Sequence, residues 1–108
     1  MRGEKIIGPG KPTTELPMHL AVYRARPDVV AVVHAHPMTA IAMTIAGVPP
    51  PENLMPEAAV VLGRIGVAPF AIPGTEDVPR GMERFFPEHN VILMERHGAL
   101  TMGATVTE

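Results

Sequence analysis

Four residues of this sequence are of types that could do chemistry: Glu15, His34, His36 and His97. His34 and His36 close the run Val29-Val30-Ala31-Val32-Val33-His34-Ala35-His36-Pro37. Five apolar residues, mostly β-branched and bounded by Pro27-Asp28 and Pro37, read as a buried strand. Side chains alternate along a strand, so the two imidazoles point the same way, about 7 Å apart, and can chelate one metal ion. His97 follows a second apolar run and precedes Gly98, a residue that lets the backbone turn sharply. If the two strands are neighbours, all three imidazoles meet at one sheet edge and leave a fourth ligand position open, as in catalytic zinc sites. A histidine at a strand end is also an ordinary hydrogen-bonded boundary residue, and His97 by itself reads either way. The His34/His36 pair is harder to satisfy inside an apolar strand. Glu15 is either an acid favoured by a helix dipole or a general acid/base near the metal. His19 and His89 read as structural or solvent-facing, and the eight methionines as core filler.

The elements that must position these residues follow from the punctuation of the chain. Residues 1–12 predict a loop or weak edge strand. Thr13-Thr14-Glu15-Leu16-Pro17 opens a helix, with a threonine N-cap, an acid in the first turn and Pro17 early enough to be tolerated. Leu16, Leu20 and Tyr23 form its apolar stripe, and it should end near Arg26, before Pro27. Met38 to Ala46 predicts a second helix stopped by Gly47, and residues 48–56 a proline-rich loop. Ala58 to Leu62 is short and apolar and reads as either helix or strand, with strand preferred, and Gly66 to Ile72 reads as a strand. Pro73-Gly74-Thr75 reads as a turn capping a helix over 76–86. A strand over 90–95, a tight turn at Arg96-His97-Gly98 and a strand over 99–102 complete the pattern. Strands and helices alternating over one sheet give an α/β class.

Composition narrows the function. At 108 residues the chain is one domain. A net charge of −2 excludes nucleic acid as the expected partner. The apolar runs fall far short of the roughly 20 residues that a membrane span needs. Met1 to Lys5 leads into too short an apolar stretch for a signal peptide, so a cytoplasmic location is the default. With no cysteine, any metal is held by histidine and carboxylate. The thirteen prolines sit mostly singly at element boundaries, apart from Pro49-Pro50-Pro51, rather than in one low-complexity tract. The closing Ala104-Thr105-Val106-Thr107-Glu108 looks like the cap of a further helix, as in part of a larger fold.

Pro12-Thr13-Thr14-Glu15-Leu16-Pro17-Met18-His19, then Val33-His34-Ala35-His36-Pro37, Pro73-Gly74-Thr75-Glu76 and Glu95-Arg96-His97-Gly98 together resemble the class II aldolase/adducin family. The similarity runs from about residue 9 to 108 and is closest to its L-fuculose-phosphate aldolase-like members. It implies a three-layer α/β/α sandwich around a mixed, mostly antiparallel sheet, usually in a cyclic homotetramer with active sites between subunits. It also implies a zinc ion on His34, His36 and His97, Glu15 as the acid/base, and Thr13 and Thr14 on a substrate phosphate. Histidine ligation does not separate zinc from manganese or cobalt. The implied reaction is cleavage of a small ketose 1-phosphate, L-fuculose 1-phosphate-like, to dihydroxyacetone phosphate and an aldehyde. The metal polarises the carbonyl and stabilises the charge that develops, while Glu15 moves the proton. Glutamate at position 15 favours aldolase over the similar epimerases, which tend to carry aspartate there; dehydratases and decarboxylases share the three-histidine site.

The chain departs from the family in lacking the preceding segment with two glycine-rich phosphate loops, the C-terminal helices, and a tyrosine in the loop at 51–56. Residues 1–108 are therefore expected to be a single, incomplete domain. A cupin would need a glutamate soon after His-x-His inside an all-β barrel, and an amidohydrolase an eight-stranded barrel that 108 residues cannot build. An adducin-like, non-catalytic interaction module is the rival from another functional class. The missing loops favour it, and the intact histidines and Glu15 oppose it.

Overall fold

Proline and glycine decide where the elements begin and end. In the computed structural model, which describes residues 8–51 and 55–108, helix α1 spans Leu16–Ala25 with Pro17 in its first turn, where an amide has no intrahelical partner to lose. It stops at Arg26, just before Pro27, as expected. Strand β1 covers Ala31–Ala35. Helix α2, Met38–Ala46, starts after Pro37 and ends at Gly47, whose φ of 69° closes the last turn in the left-handed region. Then come β2 (Ile65–Ala68), α3 (Asp77–Met82) with a 3-10 turn over Glu83–Phe85, β3 (Val91–Met94) and β4 (Gly98–Gly103).

The sheet order is β1-β4-β3-β2. β4 runs antiparallel to both of its neighbours, and β2 runs parallel to β3, which requires a crossover that α3 supplies. One face of the sheet presents Ile92, Met94, Leu100 and Met102 to Met18 and Val22 of α1, Val78 and Met82 of α3, and Phe86. Each large apolar side chain so buried stabilises the fold by about 1.5–3 kcal/mol. Four of these core residues are methionines, so the filler reading holds for Met18, Met82, Met94 and Met102 but not for the exposed Met38 and Met55. On the other face Val67 adjoins Thr44 and Gly47 of α2, and Val91 and Thr101 adjoin Val61 and Leu62. The fold is therefore three-layer α/β/α with layers of unequal depth: α2 has no fully buried residue, and Met38 and Ile45 are 81% and 66% exposed.

Several expectations are corrected. Strands β1 and β3 are not neighbours, because β4 lies between them. Ala58–Leu62 is a π-helical turn rather than a strand. Pro56 starts it without losing a needed bond, the Ala59 amide donates back to the Met55 carbonyl at 3.1 Å, and Gly63 ends it. β2 stops at Ala68 because Pro69 has no amide for a ladder. α3 breaks into a 3-10 turn at Glu83 instead of running to 86. The buried row of α1 is Met18 and Val22, flanked by the half-buried Leu16, Leu20 and Tyr23. Its N-cap is Glu15, not a threonine, and it makes no side-chain capping bond. Residues 1–7 of the expected N-terminal loop and 52–54 of the proline-rich loop lie outside the described residues.

Arg26 fastens the end of α1 to the start of β3. Its Nη1 donates to the Phe86 carbonyl at 2.9 Å and its Nη2 to Asn90 Oδ1 at 3.1 Å, while Nε and Nη2 grip the Asp28 carboxylate at 2.8 and 2.6 Å. Asp28 is exposed, so water screens that pair; the bonds to the 86–90 turn carry more of the stability. Arg26→Ala is expected to lower the unfolding free energy by about 1.5–3 kcal/mol. Asp28→Ala should lower it by much less, and urea titrations of both variants compare the two.

Candidate metal centre

The antiparallel pairing of β1 with β4 sets His34 opposite Leu100, on the sheet face that α1 covers. His34 Nδ1 lies 2.9 Å from the Ala99 carbonyl. A carbonyl can only accept, so Nδ1 carries the proton and Nε2 presents its lone pair. That Nε2 is 3.0 Å from His36 Nε2. Nitrogens on one tetrahedral zinc stand about 3.3 Å apart, so this pair already has ligand spacing. His97, in the turn between β3 and β4, brings its ring centroid to 5.0 Å from that of His34 and 5.4 Å from that of His36. One ring nitrogen from each histidine lies within 4.8 Å of the others. The third imidazole thus reaches the same sheet edge as the pair, but through β4 rather than by direct pairing of β1 with β3.

Glu15 is buried at the start of α1, and its Oε2 faces His97 Nε2 at 3.9 Å with no hydrogen-bond partner. That separation is too long for a hydrogen bond. Leaving such an oxygen unpaired out of water costs about 1–3 kcal/mol. A surface acid answering the helix dipole would not accept this cost, whereas a cation among the imidazoles would offset it. Three imidazoles graded from buried His97 through half-buried His34 to exposed His36, with a carboxylate behind them, fit a divalent ion with one side open to solvent.

Residues 1–108 match the model of the Class II Aldolase and Adducin N-terminal domain family. The chain belongs to this family. It is 37% identical over 99 residues to an L-fuculose phosphate aldolase of Methanococcus vannielii, covering 92% of this chain and 53% of that one. It is 29% identical over 101 residues to a 3-oxo-tetronate 4-phosphate decarboxylase of Cupriavidus necator, covering 90% and 46%. The crystal structure of L-fuculose-1-phosphate aldolase from Thermus thermophilus superposes with a TM-score of 0.78 at 28% identity, covering 95% of this chain and 52% of that one. The chain spans about half the length of the curated relatives it matches. Class II aldolase/adducin membership and the α/β/α layers remove the cupin and amidohydrolase readings.

Two imidazoles of this family member are biased toward the neutral form, the one that donates a lone pair. Burial holds His97 below the usual histidine range, and His34 and His36 push it further down, against the opposing pull of Glu15. His19, one helical turn after Glu15, is held low by burial and by His34, again against Glu15. The structural reading of His89 fits its position: Nδ1 lies 3.2 Å from the Phe85 carbonyl and the ring packs edge-on against Phe85. Thr13 Oγ1 accepts the Glu15 amide at 3.2 Å, which puts Thr13 and Thr14 at the end of α1 where Glu15 meets His97. Both threonines are exposed, and Gly74 of the Pro73-Gly74-Thr75 turn lies against Thr14, where a Cβ on Gly74 would fall 3.5 Å from the Thr14 carbonyl.

The sequence suggested Gly98 for the wrong reason. The left-handed residue of the turn is Arg96, with φ 56°, and Gly98 has no positive φ. Glycine is required there because β4 presses on β1: a Cβ would sit 2.5 Å from the Ala35 carbonyl oxygen and 2.8 Å from His36 Cδ2. No local pattern signals this, since it depends on the strand register. Gly98→Ala is expected to cost about 1–3 kcal/mol and to spread the His34/His36 pair, read as a lower melting temperature with weakened metal uptake.

The two lowered histidines also predict a pH dependence. Between about pH 7 and pH 5 the unfolded chain takes up protons that folded, metal-free His19 and His97 resist. Their contribution is therefore intact above the ordinary histidine range and is lost as pH falls through it. In chelator, the urea midpoint should drop from pH 7.5 to 5.5, and the drop should shrink in a His19→Gln/His97→Gln variant.

Proposed function

We propose that residues 1–108 form one domain of a divalent-metal-dependent class II aldolase-type lyase. It cleaves a small ketose 1-phosphate of the L-fuculose 1-phosphate kind to dihydroxyacetone phosphate and an aldehyde. The observation that carries this reading is the convergence of His34, His36 and His97 on the side of a buried Glu15 whose Oε2 has no other partner. Zinc suits three imidazoles with an open position, and manganese or cobalt suits the same donors. When bound, the ion supplies Lewis acidity to the substrate's oxygens.

The chain's own residues do the rest. The bond from His34 Nδ1 to the Ala99 carbonyl fixes that ring and aims its Nε2. Buried His97 keeps water off the inner side of the site. Glu15 Oε2, free of competing donors, takes up and returns the proton on the substrate side. Thr13 Oγ1 is already an acceptor for the Glu15 amide, so its hydroxyl proton is free for a phosphate oxygen. With Thr14 beside it and the start of α1 behind, an anion is favoured there. A cyclic homotetramer in the cytoplasm, with neighbouring subunits completing the aldehyde pocket, belongs to the same proposal. No described helix is long and apolar enough to cross a membrane.

A second reading is decarboxylation, favoured by the likeness to the Cupriavidus necator decarboxylase. The same site would then break a carbon–carbon bond with release of carbon dioxide instead of an aldehyde. A non-catalytic module has less support, because nothing in such a role accounts for a buried, unpaired Glu15.

The test is metal content after gel filtration, followed by a retro-aldol assay. Roughly one divalent ion per chain is expected, lost in His97→Ala. Glu15→Gln should keep the ion but lose about 10²–10⁴-fold in cleavage of phosphorylated ketoses. A well-folded chain that takes up no metal would sink the catalytic reading, and carbon dioxide release from a 3-oxo acid phosphate would select the decarboxylase.

A further inference from the structure

We propose that Thr44, on α2, is a positioning residue that holds the His97 turn in the conformation the metal centre needs; the inference rests on the reading of His97 as a ligand. The chain passes from β3 to β4 through Glu95-Arg96-His97, and Arg96 adopts a φ of 56°. Among the described residues it is the only non-glycine in that left-handed region. An L-residue stays there only when its surroundings hold it. Three successive amides are anchored at this point. Glu95 donates to the Ala68 carbonyl at the end of β2 at 3.0 Å, and His97 to the Met94 carbonyl at 3.1 Å. Between them the Arg96 amide donates to Thr44 Oγ1 at 3.0 Å, a partner 52 residues away.

The Thr44 hydroxyl is itself oriented. It donates its proton to the Ile41 carbonyl at 2.7 Å, which leaves a lone pair facing Arg96. The Arg96 side chain does not compete for this place, since its guanidinium lies over the Phe70 ring at 5.0 Å. α2 begins immediately after His36 and Pro37, and Thr44 lies in its second turn. One rigid helix therefore leaves the His34/His36 strand end and returns a side chain to the backbone beside His97. It sets the distance between the ligand pair and the third ligand. Without the hydroxyl the Arg96 amide has no partner and the turn is free to relax, taking His97 away from Glu15 and His34.

The variants are Thr44→Val, Thr44→Ser, Thr44→Val/Arg96→Gly, and Thr39→Val as a control on an exposed position of the same helix. Each is measured in two ways. Zinc affinity is read against a chromophoric chelator, with the cobalt spectrum as a signature of ligand geometry. In the metal-free protein, nuclear Overhauser contacts between the His97 and His34 rings read the turn directly. Thr44→Val should bind zinc about 10-fold more weakly or worse, shift the cobalt bands and lose the ring contacts. Thr44→Ser and Thr39→Val should match the parent. Arg96→Gly should restore much of the loss, because glycine holds a positive φ unaided.

Unchanged affinity and ring contacts in Thr44→Val would overturn the proposal, as would a serine variant as impaired as the valine one. Loss of folding in Thr44→Val that Arg96→Gly does not repair also overturns it, since the defect would then lie in α2 rather than in the turn. If the parent protein binds no zinc, the ligand reading fails by itself. The ring contacts in the metal-free variants then still decide whether Thr44 sets the turn.

Discussion

The antiparallel pairing of β1 with β4 is the contact on which the rest of this structure depends. It sets Ala35 opposite Ala99 and His34 opposite Leu100, and so fixes which face His34 takes and how near His97 comes. A one-residue slip would turn every β1 side chain to the other face and send His34 away from α1. Two local features guard the register. The Ala99 carbonyl lies 2.9 Å from His34 Nδ1, so the same backbone unit that pairs the strands also orients the ring. The backbone at Gly98 lies so close to Ala35 and His36 that no side chain fits between them. Pairing, ring orientation and close approach are three consequences of a single alignment.

That alignment also explains how far the sequence could be read. The His-x-His strand end, the helix boundaries at Pro27 and Gly47, and the α/β class were legible because they are local: alternation, capping and proline act within a few residues. The neighbour of β1 was not legible. Periodicity says that a strand is buried but not which strand lies beside it, and the insertion of β4 between β1 and β3 emerges only from the assembled sheet. Ala58–Leu62 failed for a related reason: a five-residue apolar run has no period of its own, and Pro56 and Gly63 bound a helical turn as readily as a strand. The candidate site was legible in its residue types and not in its supports. The His34/His36 pair stands out by type and spacing, while His97 and Glu15 joined it through the motifs that resemble the family. Gly98, the left-handed Arg96 and the half-buried His19 gain their meaning from contacts across the fold.

The two helical layers divide the labour unevenly. α1 and α3 bury the apolar core against Ile92, Met94, Leu100 and Met102, and α1 also delivers Glu15 at its N-terminal end. Stability and the position of the carboxylate thus come from the same helix, and Met18 and Val22, 1% and 0% exposed, hold Glu15 in place through packing rather than through a cap. α2 buries nothing fully, and the value of its nine residues lies in geometry: a stiff connection that starts at the His34/His36 strand end.

The energetics of the site follow from where its parts originate. β1, the turn before β4 and the start of α1 are separate in sequence, as the 65-residue separation of His34 from Ala99 illustrates. No fragment of the fold can assemble the four groups, so an ion that binds them binds the native state alone. By mass action it then stabilises the whole sheet, by about 2.7 kcal/mol at a hundredfold excess over its dissociation constant. The same ion would remove the local liability of the metal-free chain, the unpaired Glu15 oxygen. The three imidazoles and the unpaired carboxylate oxygen gather at the end of the same sheet face whose apolar residues pack under α1, so a cation held there would tie β1 to the β3–β4 turn across the thin α2 side of the sheet.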